Sequence, residues 1–377
     1  MLRSRHLVLA AAALFAAAVS PATAQTSERS ALEWSFSDGD ERYYQMSWIL
    51  EIKSEMPGLP MPPQNQEFEI VYGLSERVTA VSADGSATIE ATVASIRARM
   101  GMGMMGEVAF DSDSDAGAES PMRSLGAAVG QSFGYTRTKT GAVSNLTGME
   151  NVSSAIASAA AASIPEGGGQ GGGGGGMGGG MGMDLGAMIP QLAAGMGSLI
   201  FSDQMMASGM SLMHHVLPSE AKSQGDTWTR PVTQTLPGIG SLQYDAEYTH
   251  QGSSAAGTRL SFRVPGEIEM VEPEANGAGD DAMSGMLEEL MNSMSGNESE
   301  ITRKAASGTA TFGDGRLIDS EARQEVDSEG PLPAMVQMML GEEAEGKRMQ
   351  RNVALTLRLQ EKEAPTGGGS DDTERQF

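Results

Sequence analysis

Methionine and histidine are the residues here that stand closest to metal chemistry. Met205, Met206, Met210 and Met213 run directly into His214 and His215, and the whole chain has 28 methionines but only four histidines. Thioether and imidazole are soft and borderline ligands, a set that Cu(I) takes where thiolates are scarce. The same residues have a plainer use. Met206, Met210 and Met213 fall at helical spacing, and methionine is an adaptable filler of apolar cores. Core packing is the weightier reading, with Cu(I) binding kept as the alternative.

Four other patterns touch on chemistry. Gly130-Gln131-Ser132-Phe133-Gly134 matches the G-x-S-x-G of a hydrolase nucleophile elbow, which needs a strand before the serine and a helix after it. Here the residues from Tyr135 onward read as strand, so Ser132 is not expected to be a nucleophile. Gly101-Met102-Gly103-Met104-Met105-Gly106 fits G-x-G-x-x-G, but Glu107 to Phe110 continues as strand. No helix N-terminus then follows to hold a pyrophosphate. Asp111-Ser112-Asp113-Ser114-Asp115 begins like a calcium loop. An EF-hand needs Gly at the sixth position and Glu at the twelfth, and Ala116 and Met122 stand there, so a solvated acidic turn is expected and Ca2+ is a minor alternative. Ser219-Glu220-Ala221-Lys222 and Lys139-Thr140-Gly141 match pieces of penicillin-recognising enzymes, in the wrong order and with no S-D-N between them.

The elements that would position such residues begin with a leader. Arg3, Arg5 and His6 precede an apolar run from Leu7 to Val19, and Ala22-Thr23-Ala24 supplies a small-residue cleavage site. This reads as a secretory signal peptide cut after Ala24. The run is short of the about 20 residues that a membrane-spanning helix needs, so no transmembrane anchor is expected after cleavage. The chain has no cysteine, which excludes disulfides, thiolate metal sites and cysteine nucleophiles. Its net charge of −24 repels phosphate backbones, so nucleic acid is not an expected partner.

Period-two alternation dominates the rest. Tyr44, Met46, Trp48, Leu50 and Ile52 share one strand face, and Phe68, Ile70, Tyr72 and Leu74 repeat the pattern. Tyr244, Ala246, Tyr248 and His250 do so again, as do Val353, Leu355, Leu357 and Leu359. Asp38-Gly39, Asp84-Gly85, Thr140-Gly141 and Asp314-Gly315 suit tight hairpins. Gly39-Asp40 and Gly225-Asp226 each open a stretch that ends at a Gly-centred turn, at 139–143 and 313–317. The chain is therefore expected to be mainly β with helical insertions (α+β): two related, curved antiparallel units with helices between or packed on them. The divisions are a signal peptide (1–24), an N-terminal β unit (25–165) and a Gly/Met-rich linker (166–183). A helical segment (184–217), a C-terminal β unit (218–363) and a disordered tail (364–377) follow. Glu150 to Ile164 reads as helix, as do Met283 to Met294 and Ala334 to Leu340.

The order of several short motifs resembles an uncharacterised family of exported bacterial proteins, a domain of unknown function. They are Gly39-Asp40 with Tyr43-Tyr44, Asp84-Gly85-Ser86, Phe110-Asp111-Ser112, the Tyr135 to Leu146 strand pair, and Leu217-Pro218 leading to Gly225-Asp226-Thr227-Trp228. The resemblance implies a β-rich envelope protein, in the periplasm or at the cell surface, and carries no catalytic residue with it.

No acid/base constellation stands at a defensible spacing, so an enzyme is not expected. The most concrete expectation is a protein that binds an apolar ligand such as a lipid on a curved β face under methionine-rich helices. The alternatives are a Met/His copper binder and a structural module that docks another envelope protein.

Overall fold

The computed structural model describes residues 32–59, 62–101, 106–114, 119–163, 201–214, 217–236, 240–271, 300–332, 336–337 and 340–363. The leader, the Gly/Met stretch, residues 184–200, the Met283 to Met294 stripe, most of Ala334 to Leu340 and the tail lie outside them, as does His215.

Among the described residues thirteen strands form one antiparallel sheet. They are β1 (Glu41–Glu55), β2 (Gln64–Val81), β3 (Ala87–Gly101), β4 (Glu107–Asp111), β5 (Ser132–Arg137), β6 (Val143–Thr147), β7 (Thr227–Leu236), β8 (Gly240–Ser254), β9 (Gly257–Arg263), β10 (Glu269–Val271), β11 (Glu300–Gly313), β12 (Arg316–Pro331) and β13 (Arg348–Lys362). β7 lies beside β8, and β9 and β10 share the other edge of β8. The path then runs through β11, β12, β13, β1, β2 and β3. β4 and β5 share the far edge of β3, and β6 comes last. The strands of the two halves are therefore not separate sheets, because β13 joins β1 from Tyr43↔Lys362 to Glu55↔Gln350. Pro231 sits in β7, which pairs among the described residues only with β8; an edge strand tolerates the missing N–H.

The two stretches open alike. Ser37 N donates to Asp40 Oδ2, Gly39 N to Val78 O, and Val78 N to Asp40 O. In the second stretch Ser223 N donates to Asp226 Oδ2, Gly225 N to His250 O, and His250 N to Asp226 O. Both pairings slip just beyond that point, between Val78 and Ala80 and between His250 and Gly252. Asp38-Gly39 is thus not a hairpin, as its sequence implied, but a loop tied to the end of β2. The other three turns are tight turns between strands: Gly85, Gly141, Asp314 and Gly315 all have positive φ.

α1 (Met149–Ser163) packs Met149, Val152 and Ile156 into the core against the short 3-10 turn Arg123–Ala128 and β5. α2 (Asp203–Met213) lies on the inner face of the sheet. It is started by Ser202, whose side chain accepts from Met205 N. It contacts β6, β7, β12 and β13, and Ser320 on β12 donates to Met213 O at 2.8 Å. Gly209 on α2 faces Trp48 on β1: a Cβ there would fall 2.5 Å from Trp48 Cζ2. Gly209→Val is expected to destabilise the fold by about 1–3 kcal/mol. Urea denaturation checks this, with a lower midpoint and an unchanged slope as the expected result.

Candidate functional site

Along β1 and β2 the inward positions are apolar by alternation, and the same alternation carries three polar side chains into the interior. On β2, Phe68, Ile70, Tyr72 and Leu74 lead to Glu76; on β5, Phe133 leads to Tyr135 and Arg137. Glu76 and Arg137 are 3% and 0% exposed. Arg137 Nη2 lies 3.0 Å from Glu76 Oε1 and donates to Tyr135 Oη at 2.5 Å. Tyr135 in turn donates to Glu76 Oε1. Arg137 Nη2 also lies 2.6 Å from Nε2 of His214, the C-cap of α2. A guanidinium only donates, so Nε2 is the acceptor in this contact.

The segment entering β1 closes this end of the interior. Trp34 N donates to Lys139 O and Ser35 N to Gly315 O, so residues 34 and 35 span the β5–β6 and β11–β12 turns. The Trp34 ring faces Arg137, with 4.4 Å from the guanidinium carbon to the ring centroid, and stacks on His214 at 5.5 Å. A desolvated cation–π contact of this kind contributes about 2 kcal/mol.

The electrostatics follow from burial. Burial first, then the charge of Glu76, pushes the Tyr44 hydroxyl up to about 12. Burial also holds Tyr135 well above the ordinary tyrosine range. For Arg137, burial lowers the pKa while the charge of Glu76 raises it, and the net direction is up. The guanidinium therefore stays charged in the interior.

Nearer the middle of the face lies a second group. Trp48 Nε1 donates to Tyr72 Oη at 2.7 Å, and the Tyr72 hydroxyl sits 2.7 Å from Met46 Sδ and 3.3 Å from Met206 Sδ. Phe201 packs on Tyr72, with ring centroids 5.3 Å apart.

The residues singled out by sequence fall as follows. Met205, Met206, Met210 and Met213 are all buried core residues on α2. His214 is buried at the same helix's end, with the Arg137 cation against its Nε2. Among the described residues no three His, Asp or Glu side chains gather as a metal site. Ser132 opens β5 with its hydroxyl 2.7 Å from Thr92 Oγ1, and a strand follows it as expected. Asp111 Oδ1 accepts from Asp113 N, so the acidic loop is a local turn over its described part. Gly101 and Gly106 flank the β3–β4 connection. His250 is buried on β8, on the face it shares with Tyr244, Ala246 and Tyr248. A surface depression of about 440 Å³ lined by Glu51, Lys53, Asn65, Gln66, Glu67 and Glu107 sits at the other end of β1 from Glu76.

Sequence reasoning missed Glu76, Tyr135 and Arg137. A signal was present: Glu76 and Arg137 are charges at positions where period-two alternation demands apolar residues.

Fold and site together define a β-rich protein with one large antiparallel sheet, a helix on its inner face and a buried charged cluster. Residues 84–170 match the model of a family described as "Family of unknown function (DUF6263)", which agrees with the resemblance drawn from the motifs. That match takes in Tyr135 and Arg137. A structure of lipovitellin from work on its lipid–protein interactions aligns with 10% identity and a TM-score of 0.38, over 89% of this chain and 26% of that one. No curated protein matches. No helix among the described residues is long and apolar enough to cross a membrane.

Proposed function

We propose that this is an exported, non-enzymatic envelope protein that binds an apolar ligand such as a lipid on the inner face of its sheet. One observation carries the reading: away from the Glu76–Arg137 end the inner face is mainly apolar on strands from both halves, and the helix packed on it is lined with methionines. Methionine side chains repack at little cost, which suits a surface that must accept a flexible chain. The sequence implies methionine-rich helices over this face, and α2 is packed on it. α2 fills it, with Gly209 against Trp48, so the ligand takes its place as α2 shifts. We also infer that β1, β2, β3, β5 and β6 and their counterparts β7, β8, β9, β11 and β12 arose by duplication, supported by the matched Ser/Gly-Asp bonds and pairing slips. Two such units in one sheet give a longer apolar face than either alone.

The test is a native mass spectrum of the protein taken gently from its own host's envelope, then repeated after adding lipids and Cu(I). Excess mass matching a lipid is the expected result. A mass that stays bare after both additions overturns the reading and leaves a structural or docking module, and uptake of copper alone points to the Met/His alternative.

A further inference from the structure

The Arg137 cluster does more than the fold asks of it. Glu76 lies two residues before Val78, whose N–H bonds Asp40; Tyr248 lies two before His250, whose N–H bonds Asp226. Following the pairing outward, Val78↔Ile89↔Tyr135 matches His250↔Leu260↔Ala310, and Arg137 matches Phe312. The second stretch thus builds the same corner from Tyr248, Ala310 and Phe312. A charged pair is not needed to close it.

Nor is the charge fully used. Arg137 Nε and Nη1 are buried with no hydrogen-bond partner among the described residues. Burying an N–H without an acceptor costs about 1–3 kcal/mol. The third nitrogen, Nη2, takes one of its acceptors from α2, the helix that must shift for a ligand to enter. The Arg42 guanidinium stands beside the Tyr44 hydroxyl at the same end, 3.7 Å from the Asp40 carboxylate.

We propose that Arg137 receives the anionic head group, carboxylate or phosphate, of the acyl ligand, and that His214 Nε2 holds the place of a ligand oxygen while α2 is seated. This rests on the apolar-ligand reading and extends it to the chemistry of the head group. As α2 moves, His214 leaves with it and the guanidinium loses that acceptor. An anionic oxygen restores it and reaches N–H groups that no described residue satisfies. A neutral head group restores much less.

The test measures binding of oleate, a lysophosphatidate and methyl oleate to the full-length protein. Binding of oleate, the lysophosphatidate or both about ten- to hundred-fold tighter than methyl oleate is expected, and which of the two wins tells carboxylate from phosphate. Equal binding of all three overturns the assignment while leaving the apolar-ligand reading intact. Binding of none removes that reading and this assignment with it. The double variant Glu76→Leu/Arg137→Met gives this corner uncharged side chains, as the second stretch has at Tyr248 and Phe312, and so keeps it closed. It is expected to lose the preference for the acids over methyl oleate; a retained preference overturns the assignment.

Discussion

Glu76→Ala is expected to destabilise the protein by about 3–5 kcal/mol, because it strands Arg137 as a buried charge without its counter-ion. Arg137 is fully buried and its ion pair with Glu76 is 3.0 Å long, so solvent does little to screen the loss. The more telling result is the cycle. Glu76→Leu/Arg137→Met removes both charges together, and replacing a buried pair by apolar residues is often neutral or stabilising. Denaturation midpoints of the two single variants and the double check this. The double is expected to recover most of the loss; a double as unstable as the sum of the singles would show that the charges act independently.

Alkali is expected to unfold the protein steeply. Tyr44, Tyr72, Tyr135, Tyr244 and Tyr248 all have hydroxyls raised above the ordinary value of 10, with burial the first cause in each. The unfolded chain therefore loses these protons at lower pH than the folded one. Their contribution is fully present below pH 10 and is lost progressively as pH climbs from there through the folded values. Each group removes about 1.4 kcal/mol per pH unit, so five together remove about 7 kcal/mol per unit. A domain of ordinary stability unfolds about one to two pH units above 10 on that slope. Tyrosinate absorbance and circular dichroism followed together are the check. Their transitions should coincide, and smooth tyrosine ionisation with the fold intact would contradict the buried placement.

The strands were legible because their inner face is apolar at every second residue: Tyr44 to Leu50 and Phe68 to Leu74 lie inward as the alternation requires. The helix at Met149–Ser163 was legible from its Ala-rich run, and the tight turns at Gly85, Gly141 and Gly315 from their Asp-Gly and Thr-Gly pairs. Asp38-Gly39 misled because its partner is Val78, some forty residues on, and a local turn signal carries no record of that. The junction of β13 with β1 was hidden for the same reason. The methionines of α2 were visible as a stripe, and their burial followed. The cluster at Glu76, Tyr135, Arg137 and His214 was not visible, since its members come from three elements and meet only through the pairing of β2, β3 and β5. Its trace in the sequence was two charges at positions where the alternation calls for apolar residues.

The central claim is that α2 gives way to the ligand. Amide hydrogen exchange over Asp203–Met213, with and without saturating oleate, tests it most directly. These amides are expected to lose protection when the ligand is bound, while those of β1 and β2 keep theirs. Ligand bound with α2 protected as before would contradict it.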